Sequence, residues 1–163
     1  MEYYELLGLP RKLGLTPDEL QARFYELSRV WHPDLFARKP ESEKQRALDI
    51  SSALNDAYRT LRNPIERAEY LLKLEGFDSG ELRSKDVPSE LLEEVFEWNM
   101  AKEDASAQAE LEAMTRNFRE MLSASDRELE TLFQSYDAAG SREVLGQIRA
   151  LLNRRKYIQN LVA

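Results

Sequence analysis

The chain has 163 residues, of which 42% are hydrophobic and 33% charged, with a net charge of −7 and no cysteine. This composition is typical of a soluble globular protein of one domain or two small ones. It excludes disulfides and thiol catalysis, and the acidic balance excludes nucleic acid as the main partner. No apolar run reaches the roughly 18 residues of a membrane span, and the acidic N-terminus is unlike a signal peptide, so we expect a cytoplasmic protein with no membrane partner.

The first part of the chain predicts two helices. A short one covers about residues 1–9. The second has a complete start signal, because Thr16 can act as N-cap, Glu19 is its capping-box partner and a proline stands between them. Its apolar side chains recur at helical spacing until Pro33 ends it: Leu20, Phe24, Leu27 and Trp31.

The tripeptide His32-Pro33-Asp34 follows this helix and contains the single histidine of the chain. A given tripeptide occurs by chance in a chain of this length roughly one time in a hundred. After a polar loop, Ser42 and Gln45 form a second capping-box pattern. The helix that follows carries one apolar stripe: Ala47, Ile50, Leu54, Ala57, Tyr58 and Leu61. We therefore predict a helical hairpin with the tripeptide at its exposed tip.

The charge pattern changes along the chain. Residues 1–75 carry 12 Lys and Arg against 13 Asp and Glu, whereas residues 89–131 carry 4 against 12. Glycine, serine and proline cluster between these stretches, so we predict a linker over 76–87. Residues 88–163 predict a bundle of three helices, with a kink or break near Ala124-Ser125 in the middle one. The predicted fold is all-α in two parts.

Longer segments carry a family resemblance. Residues 31–37 resemble the tip of J domains, the modules that activate the ATPase of heat-shock chaperones. Residues 4–10, 52–72 and 91–98 resemble one J-protein family, the HscB co-chaperones of iron–sulfur cluster assembly. These ordered matches span most of the chain. The resemblance implies a J domain over 1–75 and a client-binding bundle over 88–163.

The resemblance implies that the J domain binds a heat-shock ATPase chaperone of the HscA or DnaK class. His32, Pro33 and Asp34 would make the central contact. Basic side chains before and after the tripeptide would steer the domain onto an acidic chaperone surface, although they also suit an ordinary solvated face. These are Arg23, Arg29 and Arg38. The sequence departs from the family pattern at Leu35, where a lysine is common.

The resemblance also implies a client-binding patch for the scaffold protein (IscU-like) on which iron–sulfur clusters are built. It carries over to five residues: Leu92, Glu93, Phe96, Glu97 and Tyr157. The first four fall on one side of a helix. An alternative is that Leu92 and Phe96 are core residues that face the other two helices. Glu93 departs from the family pattern, which has an apolar residue there.

No residue constellation indicates an enzyme, because the chain lacks a phosphate-binding loop, a dinucleotide-binding turn and a nucleophile–histidine pair. With no cysteine and one histidine, we expect no metal site and no cofactor. Two other functions stay open. The chain can be a J protein with a different client, or a helical adaptor in which the tripeptide is incidental.

Overall fold

The computed structural model describes residues 1–77 and 86–163, and helices account for most of them. The chain forms two compact units, Met1–Glu75 and Gly76–Ala163. The predicted linker, 76–87, lies largely outside the described residues. The helices are α1 (Tyr3–Leu7), α2 (Pro17–Trp31), α3 (Glu41–Leu61), α4 (Pro64–Leu74), α5 (Ser89–Lys102), α6 (Gln108–Ala139) and α7 (Arg142–Val162). The all-α prediction is confirmed.

The first unit is built around the hairpin of α2 and α3. The predicted cap of α2 is confirmed, because the Thr16 hydroxyl accepts a hydrogen bond of 3.2 Å from the Glu19 amide. Between the two helices, the rings of Phe24 and Tyr58 stack with centroids 4.3 Å apart. Below them, small and aliphatic side chains are buried to within about 1% exposure: Leu20, Ala47, Leu54, Ala57 and Leu61. The hairpin therefore has the continuous apolar seam that the sequence pattern predicts.

Two local predictions in this unit need correction. The start of α3 is not capped by Ser42, since the helix begins at Glu41 after Pro40, whose extended backbone sets the entry without a side-chain hydrogen bond. In addition, α4 is a separate helix that was not predicted as an element. Its N-terminus is well capped, because the Asn63 side chain accepts from two backbone amides and Pro64 stands at the first position.

Helix α4 is fixed to the N-terminus by a polar and aromatic cluster. The rings of Tyr3 and Tyr70 stack at 4.6 Å. The Tyr70 hydroxyl donates to the Glu2 carboxylate at 2.9 Å and accepts from the Tyr3 amide at 2.8 Å. Arg11 pairs with Glu2 at 3.5 Å and with Glu75 at 3.3 Å. Burial, together with the adjacent Glu2 carboxylate, raises the pKa of Tyr70 to about 12.

The second unit is formed by α5, α6 and α7. Its buried cluster centres on Trp98, whose ring meets Phe118 edge-on at 5.6 Å and whose indole N–H donates to Thr115. The kink predicted at Ala124-Ser125 is wrong, because α6 is one continuous helix from Gln108 to Ala139. Ser125 is buried, and its hydroxyl donates back to the Met121 carbonyl within the helix. The two small residues therefore do not interrupt the helix, and Ser125 is the one that packs into the bundle.

The Tyr70 cluster predicts that the first unit loses stability at alkaline pH. The folded-state pKa lies above the usual value of 10.0, so the stabilisation is complete below about pH 10 and is lost as the pH rises towards about 12. We expect Tyr70→Phe to remove this part of the alkaline decline, at a cost of about 1 kcal/mol near neutral pH. Urea unfolding of both proteins at about pH 8 and about pH 11 measures this. Parallel declines in the two proteins would contradict the assignment.

Candidate functional sites

The tripeptide forms the turn between α2 and α3. His32 ends α2 with extended backbone angles, and Pro33 begins a 3-10 turn that runs to Phe36. The imidazole Nδ1 accepts a hydrogen bond of 3.2 Å from the Asp34 amide. In the neutral ring this assigns the proton to Nε2, which is left as a donor. The Asp34 side chain is 91% exposed. The turn therefore presents one donor and one carboxylate to solvent.

Aromatic packing holds this turn against the hairpin. The rings of Trp31 and Phe36 are parallel within 1°, with centroids 5.8 Å apart. The guanidinium of Arg46, on α3, lies 5.6 Å from the centre of the Trp31 ring. These contacts join the residues on either side of the tripeptide to each other and to α3. These contacts fix the turn together with the hydrogen bond from the Asp34 amide to the His32 ring.

A shallow apolar groove of about 460 Å³ lies beside the tripeptide. It is lined by Tyr25, Ser28, Arg29, His32, Asp34 and Leu35. Two of these are exposed apolar side chains, Tyr25 at 49% and Leu35 at 62%. Sequence reasoning missed both as site residues. Helical spacing could have indicated Tyr25, because positions 25, 28, 29 and 32 share one face of α2.

The three candidate arginines have different surroundings. Arg29 and Arg38 are exposed, and Arg29 lines the groove. Arg23 instead donates from Nε to the Leu7 carbonyl at 2.8 Å, and its Nη1 pairs with Glu26 at 2.9 Å. Its guanidinium fills the space beside Gly8, where an added Cβ would lie 2.5 Å away. Arg23 therefore connects α1 to α2.

The candidate client-binding residues on α5 are exposed. Leu92 is 49% and Phe96 65% exposed, and Met100 extends the same row at 58%. We call these three residues the α5 ridge. Glu93 and Glu97 beside it are also exposed. The alternative that Leu92 and Phe96 are core residues is wrong, because other positions of α5 face the core: Leu91, Val95, Trp98 and Ala101.

Tyr157 differs from the four α5 residues. It lies on α7, is only partly exposed, and packs against the buried cluster that includes Trp98 and Phe118. Its ring therefore contributes to the core of the bundle.

The described ranges, 1–77 and 86–163, contain no cluster of three or more acidic or histidine side chains that could hold a metal ion. None of their helices is long and apolar enough to cross a membrane.

Comparisons with known families match both units. The DnaJ domain family matches residues 2–70, and the family described as the HSCB C-terminal oligomerisation domain matches residues 87–163. The chain belongs to the HscB-type J proteins. HscB proteins of this type combine a J domain with a C-terminal helical domain, and the order here is the same. HscB proteins are described as co-chaperones.

Individual relatives agree with this assignment. The co-chaperone protein HscB of Proteus mirabilis (strain HI4320) is 44% identical over 78 residues, which is 48% of this chain and 45% of that protein. The crystal structure of the human co-chaperone protein HscB covers 99% of this chain and 78% of its own, with 26% identity and a TM-score of 0.71. The match to the structure of chaperone HscB from Vibrio cholerae covers 99% of this chain and 97% of that one, with 26% identity and a TM-score of 0.59. The aligned segment of the Proteus protein is thus about half of either chain.

The surroundings of the arginines predict different effects of alanine substitution. Arg23→Ala removes hydrogen bonds that connect α1 to α2, so we expect the unfolding free energy to fall by about 1–2 kcal/mol. Arg29→Ala removes an exposed side chain, so we expect a change within about 0.5 kcal/mol. Urea unfolding of the two variants checks this, and equal losses would contradict the structural role of Arg23.

Proposed function

We propose that this protein binds a heat-shock ATPase chaperone through its tripeptide tip, stimulates ATP hydrolysis there, and delivers the iron–sulfur scaffold protein as client. One observation carries the proposal. A fixed, solvent-exposed His-Pro-Asp turn and an exposed apolar ridge occur on separate units of one chain.

The tip would act by binding to the chaperone, which itself carries out the hydrolysis of ATP. Asp34 offers a free carboxylate to an arginine of the chaperone, and charge-assisted pairs of this kind are among the strong hydrogen bonds. The His32 Nε2–H is available to a neighbouring acceptor. A chaperone state that pairs better with both groups becomes more populated, and stimulation follows if that state hydrolyses ATP faster.

The groove beside the tip would determine how the chaperone is held. Arg29 on its wall and Arg38 in the loop would steer an acidic surface towards the tip. Leu35 and Tyr25 supply exposed apolar area beside the tip. At position 35 the family pattern has a lysine, so this chain replaces a charged side chain by an apolar one. This favours a contact with a larger apolar component and a weaker dependence on salt. Arg23 already donates to the Leu7 carbonyl at the end of α1, so we propose that it supports the structure behind the tip.

The α5 ridge is the proposed client contact. Leu92 and Phe96 are large apolar side chains in a row, which suits a transient protein contact with central anchors. Glu93 and Glu97 add negative charge, so the matching client surface would be basic at its edge. Tyr157 would support this contact from within the bundle. Carrying client and chaperone sites on one chain raises the local concentration of client at the chaperone.

A second candidate for the ridge is self-association. The matched C-terminal family is described as an oligomerisation domain, and an exposed apolar row could meet a second copy. In a symmetric dimer, however, the same patch lies on both sides, so the interface would contain both copies of Glu93 and Glu97 with no basic side chain of the ridge to pair with them. The charge pattern therefore favours a different protein as the partner of the ridge.

A cytoplasmic location stays a prediction.

The chaperone contact predicts a loss of stimulation in a tip variant. We expect the wild-type protein to raise the steady-state ATPase rate of the chaperone at least several-fold. His32→Gln should abolish this, because glutamine lacks the ring that accepts from the Asp34 amide and donates from Nε2. Since His32 is exposed, the variant should keep its unfolding free energy within about 0.5 kcal/mol. Unchanged stimulation in a folded variant would leave an adaptor with an incidental tripeptide.

The client contact predicts a separate effect of the ridge. When this protein and the scaffold protein are added together, we expect the increase in the ATPase rate of the chaperone to exceed the sum of the increases that each of them causes alone. Phe96→Ala should remove this synergy while stimulation without scaffold stays unchanged, because Phe96 is exposed on α5 and outside the first unit. Leu161→Ala, which alters a partly buried position on α7, is the matched control for general loosening of the bundle. Synergy that survives Phe96→Ala would assign the client to another surface.

A further inference from the structure

The second unit contains a groove that the proposed tip and ridge do not use. It encloses about 350 Å³ between the start of α5, the middle of α6 and α7. Its floor is apolar and includes Leu91, Met121, Leu151 and Ile158. Three carboxylates line it as well, Glu90, Glu94 and Glu128. A volume of this size accommodates a few side chains of a bound segment.

The groove depends on the small residues of α6. Ala124 and Ser125 line it at the point where α6 faces α5 and α7. The Ser125 hydroxyl is turned back to the Met121 carbonyl of its own helix, so it does not bridge to another helix. A larger side chain at position 124 would project into this space. The pair that resembled a helix break in the sequence thus provides room beside an unbroken helix.

Arg154 lies in this groove and makes the site unusual. Its Nε is buried and has no hydrogen-bond acceptor among the described residues. None of the ion pairs found in the described part of the chain involves Arg154, although Glu90, Glu94 and Glu128 line the same groove. A buried donor without an acceptor is unfavourable, and a ligand that supplies one recovers that loss.

We propose that this groove is a second binding subsite, which takes a segment of the client protein with a basic side chain next to an apolar one. The basic group would lie among Glu90, Glu94 and Glu128, and the apolar group on the floor. Arg154 Nε would donate to a backbone carbonyl oxygen of the segment. The identity of this client rests on the function proposed above.

Charge determines which occupant the groove favours. Three carboxylates and one guanidinium give an acidic site, which attracts a basic segment and repels a free anion. A second copy of this chain carries a net charge of −7, so the overall charge opposes its approach to an acidic site. Complementarity therefore favours a basic protein segment over both.

The groove is also continuous with the α5 ridge. At 3.6 residues per turn, Leu92, Phe96 and Met100 occupy one arc of α5. Glu93 and Glu97 fall next to this arc, and Glu90 and Glu94 fall beyond them, beside the core position Leu91. The carboxylates of α5 thus form an acidic band that leads from the ridge into the groove. One client segment could contact both.

The test compares two triple variants that remove the same charge. One is Glu90→Gln, Glu94→Gln and Glu128→Gln in the groove. The control is Glu110→Gln, Glu120→Gln and Glu130→Gln, at exposed positions of α6 that do not line it. Dissociation constants for the purified scaffold protein are measured by calorimetry at low and high salt. Circular dichroism checks that both variants are folded.

We expect the groove triple variant to bind the scaffold at least about fivefold more weakly than the control and with a smaller salt dependence. Arg154→Lys, which keeps the charge and removes the Nε donor, should also weaken binding. Equal affinities of both triple variants, with binding still lost in Phe96→Ala, would overturn the groove proposal and leave the proposed function intact.

A second probe separates the two proposals. It is a short peptide of alternating leucine and lysine, compared with a leucine–glutamate peptide of equal length. If the scaffold fails to bind the wild-type protein, the proposed client is wrong. Binding of the lysine peptide to the wild type and control, but not to the groove variant, would still support the groove. Equal binding to all three proteins, no binding to any, or a self-association that only the groove variant loses would overturn it.

Discussion

The packing of α2 against α3 is the constraint on which the J unit depends. Phe24 stacks on Tyr58 within the hairpin, and Trp31 stacks on Phe36 across the turn at its end. These contacts fix both sides of the tripeptide, so Pro33 and the His32–Asp34 hydrogen bond only have to set the last details of the turn. The polar groups of the tip are consequently free to face a partner. Stability and recognition use different atoms of the same few residues.

The two units present their surfaces in different ways. The tip is a short turn whose shape comes from local hydrogen bonds and ring stacking, and it presents its polar groups beside the exposed side chain of Leu35. The α5 ridge is one side of an amphipathic helix whose other side forms the core through Leu91, Val95 and Trp98. A turn of fixed shape suits recognition of one conformation of a partner. A row of exposed apolar side chains suits a client that is bound and released.

The sequence predicted best where a local rule is sufficient. The capping of α2 by Thr16 and the position of the tripeptide follow from residues a few positions apart. The exposure of Leu92 and Phe96 could not be predicted in this way, because α5 is apolar on more than one side and only the placement of α6 and α7 decides which side is buried. The same reason explains the wrong kink at Ala124-Ser125, because tertiary packing buries Ser125 inside an unbroken helix. The role of Arg23 was missed because its acceptor, the Leu7 carbonyl, is 16 residues away.

The distribution of tryptophan has a practical consequence. The chain has two tryptophans, one in each unit. Trp31 is half-buried beside the tip. Trp98 lies on the buried side of α5, the helix that carries the ridge, with the Lys102 ammonium 4.0 Å from its ring centre. Each unit therefore contains its own fluorophore. The two indoles differ in their exposure to solvent and lie next to different proposed contacts. Replacing either indole by phenylalanine turns the other into a reporter of a single unit, so that events in the two units can be followed separately in the intact chain.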